Sequence, residues 1–125
     1  YTTLFRSRKP MHFIGRKLGL SDTGALGFIM VLANIIAVYH LFKDMRARDK
    51  VLCVAFGICA QATLGDHLAF TANFQPSLVL PIMMGKFLGG MIAVLIAIKI
   101  SVPEAELLEK EQTQRQSTAI AAAAR

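Results

Sequence analysis

The chain has 125 residues, 54% of them hydrophobic, and a formal net charge of +6; its mean hydropathy is +0.50. Between Val51 and Ile98 the only Asp, Glu, His, Lys or Arg are Asp66, His67 and Lys86, too few to cover the surface of a soluble domain, so lipid is the expected solvent. The basic excess lies in residues 1–50, nine Lys/Arg against three acids, beside apolar segments and without an aromatic-interleaved groove; that argues against nucleic-acid binding and for loops flanking membrane helices.

In chain order, Tyr1-Thr2-Thr3-Leu4-Phe5-Arg6-Ser7 matches the translation of a common sequencing adapter. Residues 1–7 are therefore expected to be non-native, with the natural sequence entered mid-protein near Arg8. Residues 8–23 read as a basic loop or interfacial segment, in which Ser21-Asp22-Thr23 offers N-cap side chains to the next helix. Gly24 to Phe42 carries no formal charge and is long enough to cross a hydrocarbon core of about 30 Å as one helix. Lys43 to Lys50 is a short polar connector. Val51 to about Ala72 predicts a second span, interrupted at Gly65-Asp66-His67, and Asn73 to Ser77 forms a turn.

A third span is predicted from about Ser77 to Ile100, so that residues 24–100 make a three-helix transmembrane region. Ser101-Val102-Pro103-Glu104 has capping-box spacing, and Pro103 is expected to halt or redirect the preceding helix. Residues 101–125 form a polar, Ala-rich tail, with a short surface helix from Glu104 to Gln116 and a frayed end. The expected fold class is all-α and integral to the membrane, with about three transmembrane helices. Counting Lys and Arg gives seven on the side of the connector and C-tail against four on the side of residues 8–20, which favours a cytoplasmic connector.

Asp66 and Lys86 are the most informative pair. A charge near the bilayer centre costs about 2.5–3.5 kcal/mol even on lenient insertion scales, so each needs a partner or a polar cavity. Counted from the turn near Gln75, an antiparallel hairpin places both at similar depth, and a structural ion pair between them is expected. Lys86, Gly90, Ala93 and Ala97 share one helical face, whose small residues permit close approach of another helix. Thr63, Asp66, Phe70 and Asn73 form one stripe on the preceding span, with His67, Thr71 and Phe74 beside it.

This constellation reads as the wall of a midplane site, of the kind transporters build where helices break. Asp66 would attract a cation and Phe70 or Phe74 could add a cation–π face. Thr63, Thr71 or Asn73 could bind a hydroxyl, and His67 could relay a proton. Asn34, in the middle of the first span, is a candidate for the same cavity; the alternative is a hydrogen bond to a neighbouring helix. For the whole cluster the alternative is a structural Asp66–Lys86 bridge with packing aromatics. Cys53 and Cys59, six apart on one helix, point to different faces and read as buried hydrophobes. The three His are too scattered for a metal-ligand spacing, and no nucleophile elbow, P-loop or dinucleotide fingerprint occurs, so no metal, cofactor or enzymatic activity is expected.

Several segments resemble the end of the EutH family of bacterial ethanolamine-utilisation membrane proteins: Lys17-Leu18-Gly19, Leu32-Ala33-Asn34, Lys50 to Phe56, Gly65-Asp66-His67-Leu68-Ala69-Phe70-Thr71 and Gly85-Lys86. The similarity runs from about residue 11 to Pro103, with the Gly65–Thr71 run its most specific part. It implies an ethanolamine permease of the bacterial inner membrane, of which this chain is the last third or less. Its partners would be ethanolamine, the lipid bilayer and the missing N-terminal helices. Protonated ethanolamine, an ammonium and a hydroxyl, suits a carboxylate, aromatics and amides. The rival reading is a small membrane-embedded structural or assembly subunit without transport activity of its own.

Overall fold

The computed structural model describes residues 8–125; Tyr1 to Ser7, expected to be non-native, lie outside the described residues. Among the described residues every regular element is helical: α1 (Arg8–Leu18), α2 (Asp22–Met30), α3 (Ile35–Tyr39), α4 (Ala47–Ala60), α5 (Asp66–Phe74) and α6 (Val79–Ala123), with short 3-10 turns at Phe42–Asp44 and Pro76–Leu78. The Ser21 hydroxyl caps α2 as expected, accepting from the Gly24 N–H at 3.1 Å.

The long α6 packs along α4 through small residues. A Cβ on Gly90 would lie 2.8–2.9 Å from Phe56 and Ala60, and Gly89 abuts Cys59. Gly90 and Ala97 are buried, so the face predicted to meet another helix does so. Phe28 stacks on Phe56 at 4.2 Å, and Phe87 meets the edge of Phe56 at 5.9 Å. Val31, Val38, Leu52, Val94 and Val102 complete the core.

Three expectations change. The uncharged run 24–42 is not one helix: α2 ends at Met30, residues 31–34 turn, and α3 begins at Ile35. The Asn34 Oδ1 accepts from the Ile36 N–H at 2.8 Å, so the polar residue inside the run starts a new helix and caps it. α3 then folds back beside α2. A Cβ on Gly27 would sit 3.3 Å from Val38 and would overlap the Met45 methyl.

Residues 18–21 and the connector, expected at opposite ends, consequently lie together. The Arg48 guanidinium donates to the Leu18 carbonyl at 2.9 and 3.0 Å, and Arg46 to the Gly19 carbonyl at 2.9 Å. Pro103, lastly, does not halt α6. The missing N–H is outweighed by tertiary contacts on either side of it. Val102 is buried, Glu106 pairs with Arg48 at 3.6 Å, and a Glu109 oxygen accepts the Ala47 N–H at 3.0 Å. Among the described residues one helix, Pro76–Ala123, is long and apolar enough to cross a membrane.

Candidate functional site

Two interruptions meet at one side of the helical assembly. The first is the turn at residues 31–34; the second, residues 61–65, separates α4 from α5. They are joined by backbone hydrogen bonds, Ala62 N–H to the Val31 carbonyl at 3.1 Å and Leu64 N–H to the Leu32 carbonyl at 2.9 Å. These bonds satisfy backbone groups that a helix end would otherwise leave unpaired. Ala62 takes a left-handed φ of +52°, which turns the chain sharply after α4. Gly65 runs so close to the first turn that a Cβ there would be 2.7 Å from the Ala33 carbonyl oxygen. The junction is a contact of backbone on backbone.

The predicted site residues are distributed around it. Asn34 ends the first turn and Asp66 and His67 begin α5, all three exposed. Asp66 lies in the first turn of α5, where the helix dipole favours a carboxylate. The His67 N–H donates to the Ala62 carbonyl, which ties the start of α5 to the junction. Phe70 and Phe74 stack on each other, centroids 4.5 Å apart, and both are largely exposed. The Asn73 side-chain amide donates to the Ala69 carbonyl at 2.9 Å, two helical turns beyond Asp66. Thr71 departs from the group: it is buried and its hydroxyl donates to the His67 carbonyl at 2.7 Å. Thr63 is buried within the second interruption, its hydroxyl on the Ala60 carbonyl.

Asp66 and Lys86 are not brought together. Among the described residues the ion pairs are Arg46–Asp49 and Arg48–Glu106, with a His12–Asp22 contact at 3.8 Å, and none joins Asp66 to Lys86. The expected pairing counted depth from the turn near Gln75; α5 and α6 do lie on either side of that turn, but equal spacing from it does not bring the two side chains into an ion pair.

A polar cluster at the base of the α2–α3 hairpin is not evident in the sequence. Asp49, fully buried, accepts from the Ser21 N–H at 3.0 Å, the Ser21 hydroxyl at 2.6 Å, the Arg46 N–H at 3.1 Å and the Arg46 guanidinium at 3.2–3.3 Å. Burial pushes its carboxyl upward, but the hydrogen bonds from Arg46 and Ser21 outweigh that and hold it below its ordinary value. Asp49 is the third residue of α4 and bonds back to the residue before the helix. That spacing is the one signal the sequence offers; the reach to Ser21 leaves none.

The family model for "Ethanolamine utilisation protein, EutH" matches residues 3–100. The chain belongs to the EutH family. It is 36% identical over 112 residues to the "Probable ethanolamine permease EutH" of Listeria monocytogenes, an alignment covering 90% of this chain and 29% of that protein. The protein of the same name from Escherichia coli K12 is 33% identical over 87% of this chain and 27% of its own length. The "Uncharacterized protein YxeR" of Bacillus subtilis is 35% identical over 69% of the chain and 23% of its own length. The chain thus spans under a third of the length of these EutH relatives. No solved structure matches it.

Proposed function

We propose that this segment is the C-terminal part of a multi-pass ethanolamine permease of the bacterial inner membrane, and that the junction of the two helix interruptions contributes to its solute site. The observation that carries this reading is the crossing of residues 31–34 with residues 61–65 immediately before Asp66. Non-helical backbone within a membrane protein is tolerated where it is buried in protein or lines a cavity, and such interruptions are where transporters hold solutes. The family supports ethanolamine as that solute, since relatives are named probable ethanolamine permeases.

The chemistry is complementary. The Asp66 carboxylate takes the solute ammonium, and the stacked Phe70–Phe74 pair offers a ring face to the same cation. Asn34 uses its Oδ1 to cap α3, which leaves its NH2 to donate to the solute hydroxyl. Asn73 has the opposite arrangement, its NH2 engaged and its Oδ1 able to accept. His67, exposed beside Asp66, is positioned for proton exchange. Thr71, buried and committed to a backbone carbonyl, supports α5 rather than touching solute. Transport of this kind moves the solute without converting it.

The test is uptake of radiolabelled ethanolamine by the full-length permease. Asp66→Asn is expected to reduce uptake at least tenfold with normal membrane levels. Adding Lys86→Met is expected not to restore it, because the two side chains are not paired. Wild-type uptake by Asp66→Asn removes this residue from the mechanism, and recovery in the double variant reinstates the structural bridge.

A further inference from the structure

We propose that residues 22–45 form a re-entrant hairpin, entering and leaving the bilayer on one side, whose tip at residues 31–34 is the gate over the solute. The gating part rests on the transport reading above; the topology does not.

Length gives the first argument. α2 has nine residues, about 13.5 Å of helix, less than half of a hydrocarbon core of about 30 Å. The chain then reverses, bringing Val38 and Met45 back beside Gly27 of α2, while Ile35 and Val31 pack on Gly57 of α4. Having gone halfway in, it returns.

The second argument is where the two ends lie. Ser21 and Asp49, Leu18 and Arg48, and Gly19 and Arg46 bind the start of the hairpin to its exit. The same cluster reaches Glu106 and Glu109, beyond the apolar part of α6. Both ends therefore sit at the level where α6 leaves the lipid on its C-terminal side. The charge count becomes decisive under this topology. Eleven Lys and Arg (four in residues 8–20, four in 43–50, then Lys99, Lys110 and Arg115) share that side, and the turn at 73–77 has none. The base is then cytoplasmic by the positive-inside rule.

The bonding of base and tip differs in kind. A buried carboxylate, two arginines and helix caps hold the base. At the tip the hydrogen bonds to the second interruption are the two from Ala62 and Leu64, backbone to backbone. When the tip lifts, the Val31 and Leu32 carbonyls lose their donors, and a group left unpaired in an apolar interior is costly. A primary ammonium carries three N–H donors and can replace both, while the solute hydroxyl oxygen accepts from one of the N–H groups that Ala62 and Leu64 then expose. A solute cation drawn by Asp66 thus supplies what the open tip lacks, and its departure lets the backbone bonds re-form. Opening at the tip about a fixed base makes the hairpin a gate.

The experiment uses the full-length permease with its reactive native cysteines replaced. Single variants Arg16→Cys, Lys43→Cys and Gln75→Cys are labelled with a membrane-impermeant maleimide in intact cells and in inside-out vesicles. Residues 16 and 43 are expected to label only in vesicles, and residue 75 only in cells. Labelling of 16 and 43 from opposite sides overturns the re-entrant topology. Leu32→Cys/Leu64→Cys is then oxidised, with loss of maleimide-reactive thiol reporting the disulfide; Ala33→Cys/Leu64→Cys serves if the first pair is poorly expressed. Ethanolamine uptake should fall at least tenfold on oxidation and return with dithiothreitol. Pairs that do not cross-link contradict the juxtaposition, and full uptake by the oxidised protein contradicts the gate. A wild-type protein without ethanolamine uptake would defeat the transport reading alone and leave the sidedness result standing.

Discussion

At the scale of residues, Asp49 and Gly65 show how one side chain, or the lack of one, fixes a long-range contact. In the sequence Asp49 is one of the charges of the polar connector from Lys43 to Lys50, whereas in the structure it is buried against Ser21 and Arg46. Its depressed pKa has a definite sign: the stabilisation is complete above the unfolded value of about 3.9 and is lost as pH falls through the lower folded value. Asp49→Asn, which opposes an amide NH2 to the donors of Ser21 and Arg46, is expected to lose about 2 kcal/mol at pH 7. Thermal unfolding in detergent checks this, and the gap between wild type and variant should narrow from pH 7 to pH 3. At Gly65 the obstacle is a backbone oxygen, Ala33 O at 2.7 Å from an added Cβ, which cannot rotate away. Gly65→Ala is expected to cost about 1–3 kcal/mol and to loosen the junction, read as faster hydrogen exchange at Ala62 and Leu64.

At the scale of elements, legibility followed how local the determining physics was. That Gly90 and Ala97 meet another helix is readable from their helical spacing on one face; that the helix is α4 is not. The interruption near Gly65 was visible as a polar gap in an apolar run, but its extent from Gln61, and the left-handed Ala62, carried no residue-type signal. Asn34 stands out as a polar residue within a span, yet apolar composition alone cannot distinguish one long helix from two short ones folded together. Pro103 misled in the opposite direction, since the buried Val102 and the bonds of Glu106 and Glu109 hold the helix through it. Pro103→Ala should therefore leave the fold intact and stabilise α6 by up to about 3 kcal/mol, seen as slowed hydrogen exchange around Lys99 to Leu107. Exchange that is unchanged or faster would mean the helix does not run continuously through this position.

At the scale of the whole molecule, α6 leaves much of its apolar surface uncovered, with Leu80, Met84, Leu88, Ile92, Leu95, Ile96 and Ile100 exposed. Contiguous apolar exposure of this kind marks surface destined for lipid or protein. The chain corresponds to under a third of its EutH relatives. Asp66, His67, Phe70 and Asn73, exposed in this segment, would then be completed as a site by helices outside it. The residue types gathered around Asp66, and Asn34 as a further candidate, can be read from the sequence; the turn at 31–34 that brings Asn34's segment against residues 61–65 cannot, because two backbone hydrogen bonds make that contact.

The most direct measurement is solute protection at that turn. In the full-length permease carrying Ala33→Cys, an exposed position at the hairpin tip, the rate of alkylation by N-ethylmaleimide is followed with and without ethanolamine. A site at the junction predicts that saturating ethanolamine slows alkylation several-fold, while 1-propanol, of similar size without the ammonium, leaves the rate unchanged. A variant that still transports ethanolamine, yet alkylates equally fast in its presence and absence, would contradict the placement of the solute where the two interruptions meet.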